Sequence, residues 1–284
     1  MDEYAVDPLQ IQRGLFPDAI CGCGLMRVKA LAIVASLLVT VFGSAAAETS
    51  QKTNTLAPGV LRIGAYFINP PFEFLAKGKK VGFEVDLMKE IARRLRLRPA
   101  FVNTQWEVIL QQMQGGRYDC IVGAITITAE RQQNLAWSDP YMTTTLSLVV
   151  DSARMPQIHG LADFKDATVG VQAATTDYDV AVAMQQHGEI KGVQVYPFDR
   201  IADAMTDLAA GRITAVMKVY PVAAWLARRT PGLRIAVQIP HDPQPLGIGF
   251  AKNNPGLVVA VNSALAEMKQ DGAFARLGRK WAVP

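Results

Sequence analysis

Two stretches of this 284-residue chain share one layout, and they restrict its fold more than any other feature. Gly116-Arg117-Tyr118-Asp119-Cys120-Ile121-Val122 and Gly211-Arg212-Ile213-Thr214-Ala215-Val216-Met217 each follow an amphipathic segment and lead into an apolar run. Upstream of the first, LRIGA (61–65) reads as a buried strand stopped by Pro70-Pro71. A helix follows between Phe83 and Leu95, where Met88, Ile91, Ala92 and Leu95 recur at helical spacing opposite Lys89, Glu90, Arg93 and Arg94. The strand AFVN, a helix around WEVILQQMQGG and the strand CIVGAI complete the block. The order restarts with TVGVQA (168–173), a helix near Tyr178–Gln186, VQVYPF, a helix from Ala202 to Ala210, and AVMKV. Two βαβαβ blocks predict an α/β fold of two similar lobes, each a mostly parallel sheet flanked by helices. The tail offers one strand in LGIGFAKNN and two helices, VVAVNSALAEMKQDG and AFARLGRKW, without a sheet of their own. It has to pack on an existing lobe, so the chain crosses between lobes twice. The expected division is 56–145 and 245–284 for one lobe and 146–244 for the other.

The N-terminus carries an export pattern. Ala30 to Gly43 is an unbroken apolar run, preceded by Arg27 and Lys29 and followed by Ser44-Ala45-Ala46-Ala47. A basic start, a short apolar core and an A-x-A site predict a signal peptide over 26–47, cleaved after Ala47. The run is shorter than the roughly 18–20 residues that span a bilayer, which disfavours an anchor. Residues 1–25 are acidic where a signal peptide should be basic, and Met26 opens an ordinary one, so Met26 is the expected initiator. Cys21 and Cys23 then fall outside the protein, and no cysteine at the cleavage site marks a lipoprotein.

Of 29 Lys/Arg and 25 Asp/Glu, three and four lie within residues 1–47, which leaves the exported part at net +5. That excess, without a basic block, argues against a nucleic-acid partner and is compatible with an anionic solute. The remaining cysteine, Cys120, sits in an apolar run and reads as a buried thiol. His159, His187 and His241 show no metal-ligand spacing, and no nucleotide-binding or nucleophile-elbow motif is present, so neither metal nor cofactor is expected.

Candidate binding residues lie where strands give way to helices. Gly123-Ala124-Ile125-Thr126-Ile127-Thr128-Ala129-Glu130-Arg131 runs from a buried strand to a helix capped by Thr128. Its free backbone N–H groups would suit an anion. Arg131 falls in the first helical turn, where the macrodipole disfavours a cation by a few tenths to about 1 kcal/mol. Residue chemistry leaves two readings of it: an arginine awaiting a carboxylate, or one paired with Glu130. The second lobe has a similar passage at Ala174-Thr175-Thr176-Asp177. Among the aromatics Tyr66, Phe72, Phe74 and Trp106, the last opens a helix at a C-terminal strand edge, where open sheets place ligands.

The motifs LRIGAYFINPPFEF, VGFEVDLMKEIARRL, GRYDCIVGAITITAERQQNLAWSDPY, TVGVQAATT and VNSALAEMKQDGAFARLGRKW occur together and in this order. In this they resemble the type II periplasmic solute-binding proteins of the polar amino-acid ABC transporter class, the bacterial extracellular solute-binding protein family 3. The resemblance covers about Leu56 to Trp281. It implies a Venus-flytrap fold that closes on a small carboxylate or amino-acid ligand, works as a monomer in the periplasm and delivers to an inner-membrane ABC permease. It also implies that Arg131 clamps the ligand's α-carboxylate with help from Thr126, beside Gly123 and Ala124. Ala174, Thr175 and Thr176 would serve from the second lobe, and Tyr66, Phe72 and Trp106 would form an aromatic shelf.

One position departs from the pattern. Where such proteins carry an aspartate for the ligand's ammonium, this chain has Val219, with Lys218 beside it. An unpaired buried ammonium costs several kcal/mol. Either Asp177 replaces that aspartate or the ligand lacks an ammonium, and Lys218 favours the second, with a doubly acidic solute as one form; a solvated strand-end lysine is the plain alternative. A second functional class, periplasmic cyclohexadienyl or arogenate dehydratases, shares the fold and needs an acid in the cleft. Glu73, Glu84 and Asp177 are the candidates, with Glu73 and Glu84 read more simply as surface residues.

Overall fold

The computed structural model describes residues 54–284; the expected signal peptide, leader and cleavage site lie outside them. The first lobe begins with β1 (Val60–Ala65), β2 (Ile68–Asn69), β3 (Glu73–Ala76), β4 (Lys79–Val81), α1 (Phe83–Arg94), β5 (Arg98–Asn103), α2 (Trp106–Gln114), β6 (Cys120–Ile121), α3 (Ala129–Asn134) and β7 (Ala136–Trp137). The second comprises β8 (Met142–Asp151), β9 (Thr168–Gln172), α4 (Thr176–Gln186), β10 (Gly192–Tyr196), α5 (Ile201–Ala209), β11 (Ala215–Val219), α6 (Tyr220–Arg229) and β12 (Leu233–Leu246). The chain then returns with β13 (Gly249–Phe250), α7 (Pro255–Gln270) and α8 (Ala273–Trp281).

Two five-stranded sheets result, ordered β5-β1-β6-β13-β7 and β10-β9-β11-β8-β12. In each, the three strands of a βαβαβ block lie parallel, as the sequence predicts. The returning and crossing strands add antiparallel pairs: β13 with β6 and β7, β8 with β11 and β12. The chain leaves the first sheet after Trp137 and rejoins it at Gly249, so the crossovers occupy 138–141 and 247–248. A small antiparallel sheet, β2-β3-β4, rises from the first lobe beside α1.

Helix α1 shows how local sequence becomes packing. Val85, Leu87, Met88, Ile91 and Ala92 are fully buried, and each large side chain contributes about 1.5–3 kcal/mol by leaving water. Glu84 and Asp86 in the first turn and Arg93 and Arg94 in the last complement the helix dipole. Arg94 also bonds Glu267 of α7 and Asp271 just beyond it, at 3.2 and 2.6 Å. The C-terminal helices therefore pack on the first lobe. Cys120 is buried, and burial pushes its thiol well above the ordinary value. No described helix is long and apolar enough to cross a membrane.

Candidate functional site

The carboxyl ends of both parallel blocks face one cleft, and each lobe brings a strand-to-helix turn to it. In the first lobe Gly123-Ala124 follow β6 closely; in the second, Ala173-Ala174 follow β9. Ala124 and Ala174 both hold the left-handed conformation, with φ of 50° and 58°, an arrangement that stores about 1–3 kcal/mol of strain and clusters at binding sites. Gly123 has φ 155°, and a Cβ there would fall 2.4 Å from the Tyr66 ring. Only glycine admits that approach, which lets the Tyr66 hydroxyl donate to the Gly123 carbonyl.

The cleft is closed. The Trp106 indole N–H donates to the Ala174 carbonyl at 3.1 Å, and the hydroxyls of Thr126 and Thr176 lie 3.4 Å apart. Both hydroxyls also donate to Gln244 Oε1 in β12, at 2.9 and 2.8 Å. Between the lobes remains a cavity of about 30 Å³, room for about two or three water molecules. Gly123, Ala124, Thr126 and Arg131 line it from one side; Thr175, Thr176, Lys218 and Val219 line it from the other, and Tyr66 and Trp106 close one end. Three further lining residues are Asn69, Asp177 and Phe198.

Phe72 is not among the lining residues. Its ring is fully buried against Phe83, 6.2 Å between centroids, in the core of the first lobe. Phe74 is only half-buried, and packs on Trp281 of its own lobe and Trp225 of the other at 5.8 and 5.4 Å.

Arg131 is the polar centre of the cavity. Thr128 caps α3 by accepting from the Arg131 backbone N–H at 3.2 Å, which fixes the residue in the first turn. The guanidinium donates to the Thr126 carbonyl at 2.8 Å and lies 5.4 Å from the Trp106 ring centre. It makes no ion pair with a carboxylate among the described residues; Glu130 does not reach it. Burial holds it below its ordinary pKa, with Tyr66 and Asp179 opposing that shift. A buried cation so placed attracts anions.

The backbone donors expected to meet that anion are already engaged. Glu84, on the first turn of α1, is fully buried and accepts from the N–H groups of Gly123 and Ala124 at 3.0–3.2 Å and from the Tyr141 hydroxyl at 2.6 Å. Glu84 is thus a positioning group beneath the turn, not the surface residue the sequence suggested. Glu73 is likewise fully buried, on the core side of the small sheet. The two misreadings differ in cause: Glu73 belongs to β3 of a sheet whose strands are too short to signal themselves, and Glu84 is buried by contacts with Gly123, Ala124 and Tyr141, far from it in sequence.

Lys218 corrects a further expectation. It is 5% exposed and donates to Asp177 Oδ2 at 2.6 Å. Strand β11 and the first turn of α4 bring the two together, so the ammonium is paired rather than solvated. Val219 ends β11 with 7% exposure and presents an apolar side chain to the cavity. Asn69 and Phe198 were not anticipated. Asn69 lies in the small sheet, and Phe198 occupies a 3-10 turn after β10, where it meets the cleft only because the lobes close.

Comparison with known proteins agrees with this fold. Residues 61–284 match the family of bacterial extracellular solute-binding proteins, family 3. The chain is 30% identical over 258 residues to the L-cystine-binding protein TcyJ of Escherichia coli K12, covering 90% of this chain and 94% of that protein. An ancestral arginine-binding protein bound to arginine superimposes with TM-score 0.71 at 32% identity, over 78% of this chain and 98% of the other. The ancestral amino acid-binding protein AncCDT-1, a precursor of cyclohexadienyl dehydratase, gives TM-score 0.70 at 31% identity, over 78% and 95%.

Proposed function

Because the chain belongs to the bacterial extracellular solute-binding proteins, family 3, we propose that it is the periplasmic capture component of an ABC importer, with Arg131 as the receptor for its solute's carboxylate. The observation that carries this reading is the cleft guanidinium without an anionic partner. Thr126 and Thr176, one from each lobe, stand beside it and can reach the same ligand when the lobes part and close again.

The charges of the cavity wall refine the solute. Lys218 and Asp177 balance one another, which leaves Arg131 as the uncompensated charge. A singly charged carboxylate neutralises it. A zwitterion would bring an ammonium to the apolar face of Val219, at a cost of several kcal/mol. A compact carboxylate without an ammonium is therefore favoured, and the doubly acidic solute loses its support. The dehydratase reading is not favoured: of the carboxyls considered for acid catalysis, only Asp177 lines the cavity, and it is committed to Lys218. Export by the 26–47 signal peptide and delivery to a membrane permease belong to the same proposal.

Calorimetric titration with short carboxylates and the matching α-amino acids tests it. Wild-type protein should prefer the carboxylate of each pair, and Arg131→Ala should lose about 2–5 kcal/mol of binding while remaining folded. Equal affinity in the variant would return Arg131 to a structural role. Tight binding of an ordinary α-amino acid would overturn the reading of Val219.

A further inference from the structure

Phe198 crosses from the second lobe into the aromatic end of the first. Its ring stacks on Trp106 with centroids 5.1 Å apart and planes 23° from parallel, and meets Tyr66 edge-on at 4.8 Å. It is 6% exposed and belongs to an apolar cluster whose other buried members, Ile109 and Met113 among them, all come from the first lobe. The turn that carries it is held firmly. Pro197 precedes it with the ring-fixed φ of −53°, and the Gln172 side-chain amide at the end of β9 donates to the Phe198 carbonyl.

We propose that Phe198 sets the size of solute this cleft accepts: its ring fills the place between Tyr66 and Trp106 where a long or planar ligand side chain would lie. This rests on the carboxylate reading above. A solute whose carboxylate meets Arg131 has two directions in which to extend. Toward β11 it reaches Val219 and the Lys218–Asp177 pair, both buried. Toward the aromatic end it reaches Phe198. The open volume between these limits is about 30 Å³, so extra length has to displace a ring stacked on two others. Compact acids avoid that displacement.

The test is calorimetry on wild type, Phe198→Ala and Phe198→Leu with two graded series: propionate to octanoate, and alanine to arginine. Wild type should bind the short member of each series at least about tenfold more tightly than the long one. Phe198→Ala should move the ratio of long-member to short-member affinity about tenfold or more toward the long members, and Phe198→Leu should fall between them. Retained binding of the short probe reports an intact cleft; should the alanine variant fail to fold, the leucine variant carries the comparison. Long members bound by wild type as tightly as short ones, or a short-to-long ratio unmoved by either variant, overturns the size filter alone. No binding of any probe by any of the three proteins overturns the carboxylate reading and the filter with it.

Discussion

Glu73 has both carboxyl oxygens buried without a hydrogen-bond partner. Asn69 and Glu84 are its polar neighbours, and burial, reinforced by the charge of Glu84, pushes its pKa well above the ordinary 4.5. The folded protein therefore keeps a proton that the unfolded chain begins to lose near pH 4.5, and the linkage has a definite sign. This contribution to stability is complete below about 4.5 and declines as pH rises toward and through the raised folded pKa. Glu73→Gln removes the titration while preserving shape. Its melting temperature should match wild type at pH 4 and exceed it at pH 8, and a wild-type advantage at pH 8 would show that Glu73 is ionised and partnered. The polar side chains of the cleft were easier to read than this one. Arg131, Thr126 and Thr176 lie within strand-to-helix passages that the sequence marks locally. The burial of Glu73 depends on a covering sheet of two to four residues per strand, and nothing in the residues themselves announces it.

At the scale of elements, α4 and β11 are joined by the Asp177–Lys218 pair, both side chains at most 6% exposed. Removing one member leaves the other buried and uncompensated. Lys218→Met should cost about 3–5 kcal/mol in denaturant unfolding, while Asp177→Leu with Lys218→Met should fall within about 1–2 kcal/mol of wild type. A single variant as stable as wild type would mean that water reaches the pair. Strands and helices of the two parallel blocks were legible because hydrophobic period and length agree in them. Strand β12 was not, since Pro240, Pro243 and Pro245 read as loop. It tolerates them because it lies at the sheet edge and its register shifts between Ile239 and Gln244. Phe198 escaped for a related reason: an aromatic in a turn has no periodic signature, and its partners belong to the other lobe.

Across the whole molecule, the lobes meet at two aromatic contacts. Phe198 closes one end of the cavity, and Phe74 packs on Trp225 of the second lobe outside the cavity lining, where Arg229 lies 3.3 Å from the Trp225 ring centre. Aromatic pairs of this kind contribute about 0.5–1.5 kcal/mol beyond their buried area. Phe74→Ala should therefore shift the solute-free protein toward an open form, seen as a larger radius of gyration in solution scattering, and weaken solute binding by up to about tenfold. An unchanged radius would show that the Phe74 contact does not hold the lobes together. The path of the chain has a consequence for how the protein is made. Strand β13 lies between β6 and β7, yet it is synthesised more than a hundred residues after both. The second lobe is continuous in sequence and can fold as it emerges, whereas the first waits, with an open seam in its sheet, until nearly the last residues arrive. On the export route proposed above, that delay favours threading: the lobe that appears first is the one that cannot fold prematurely.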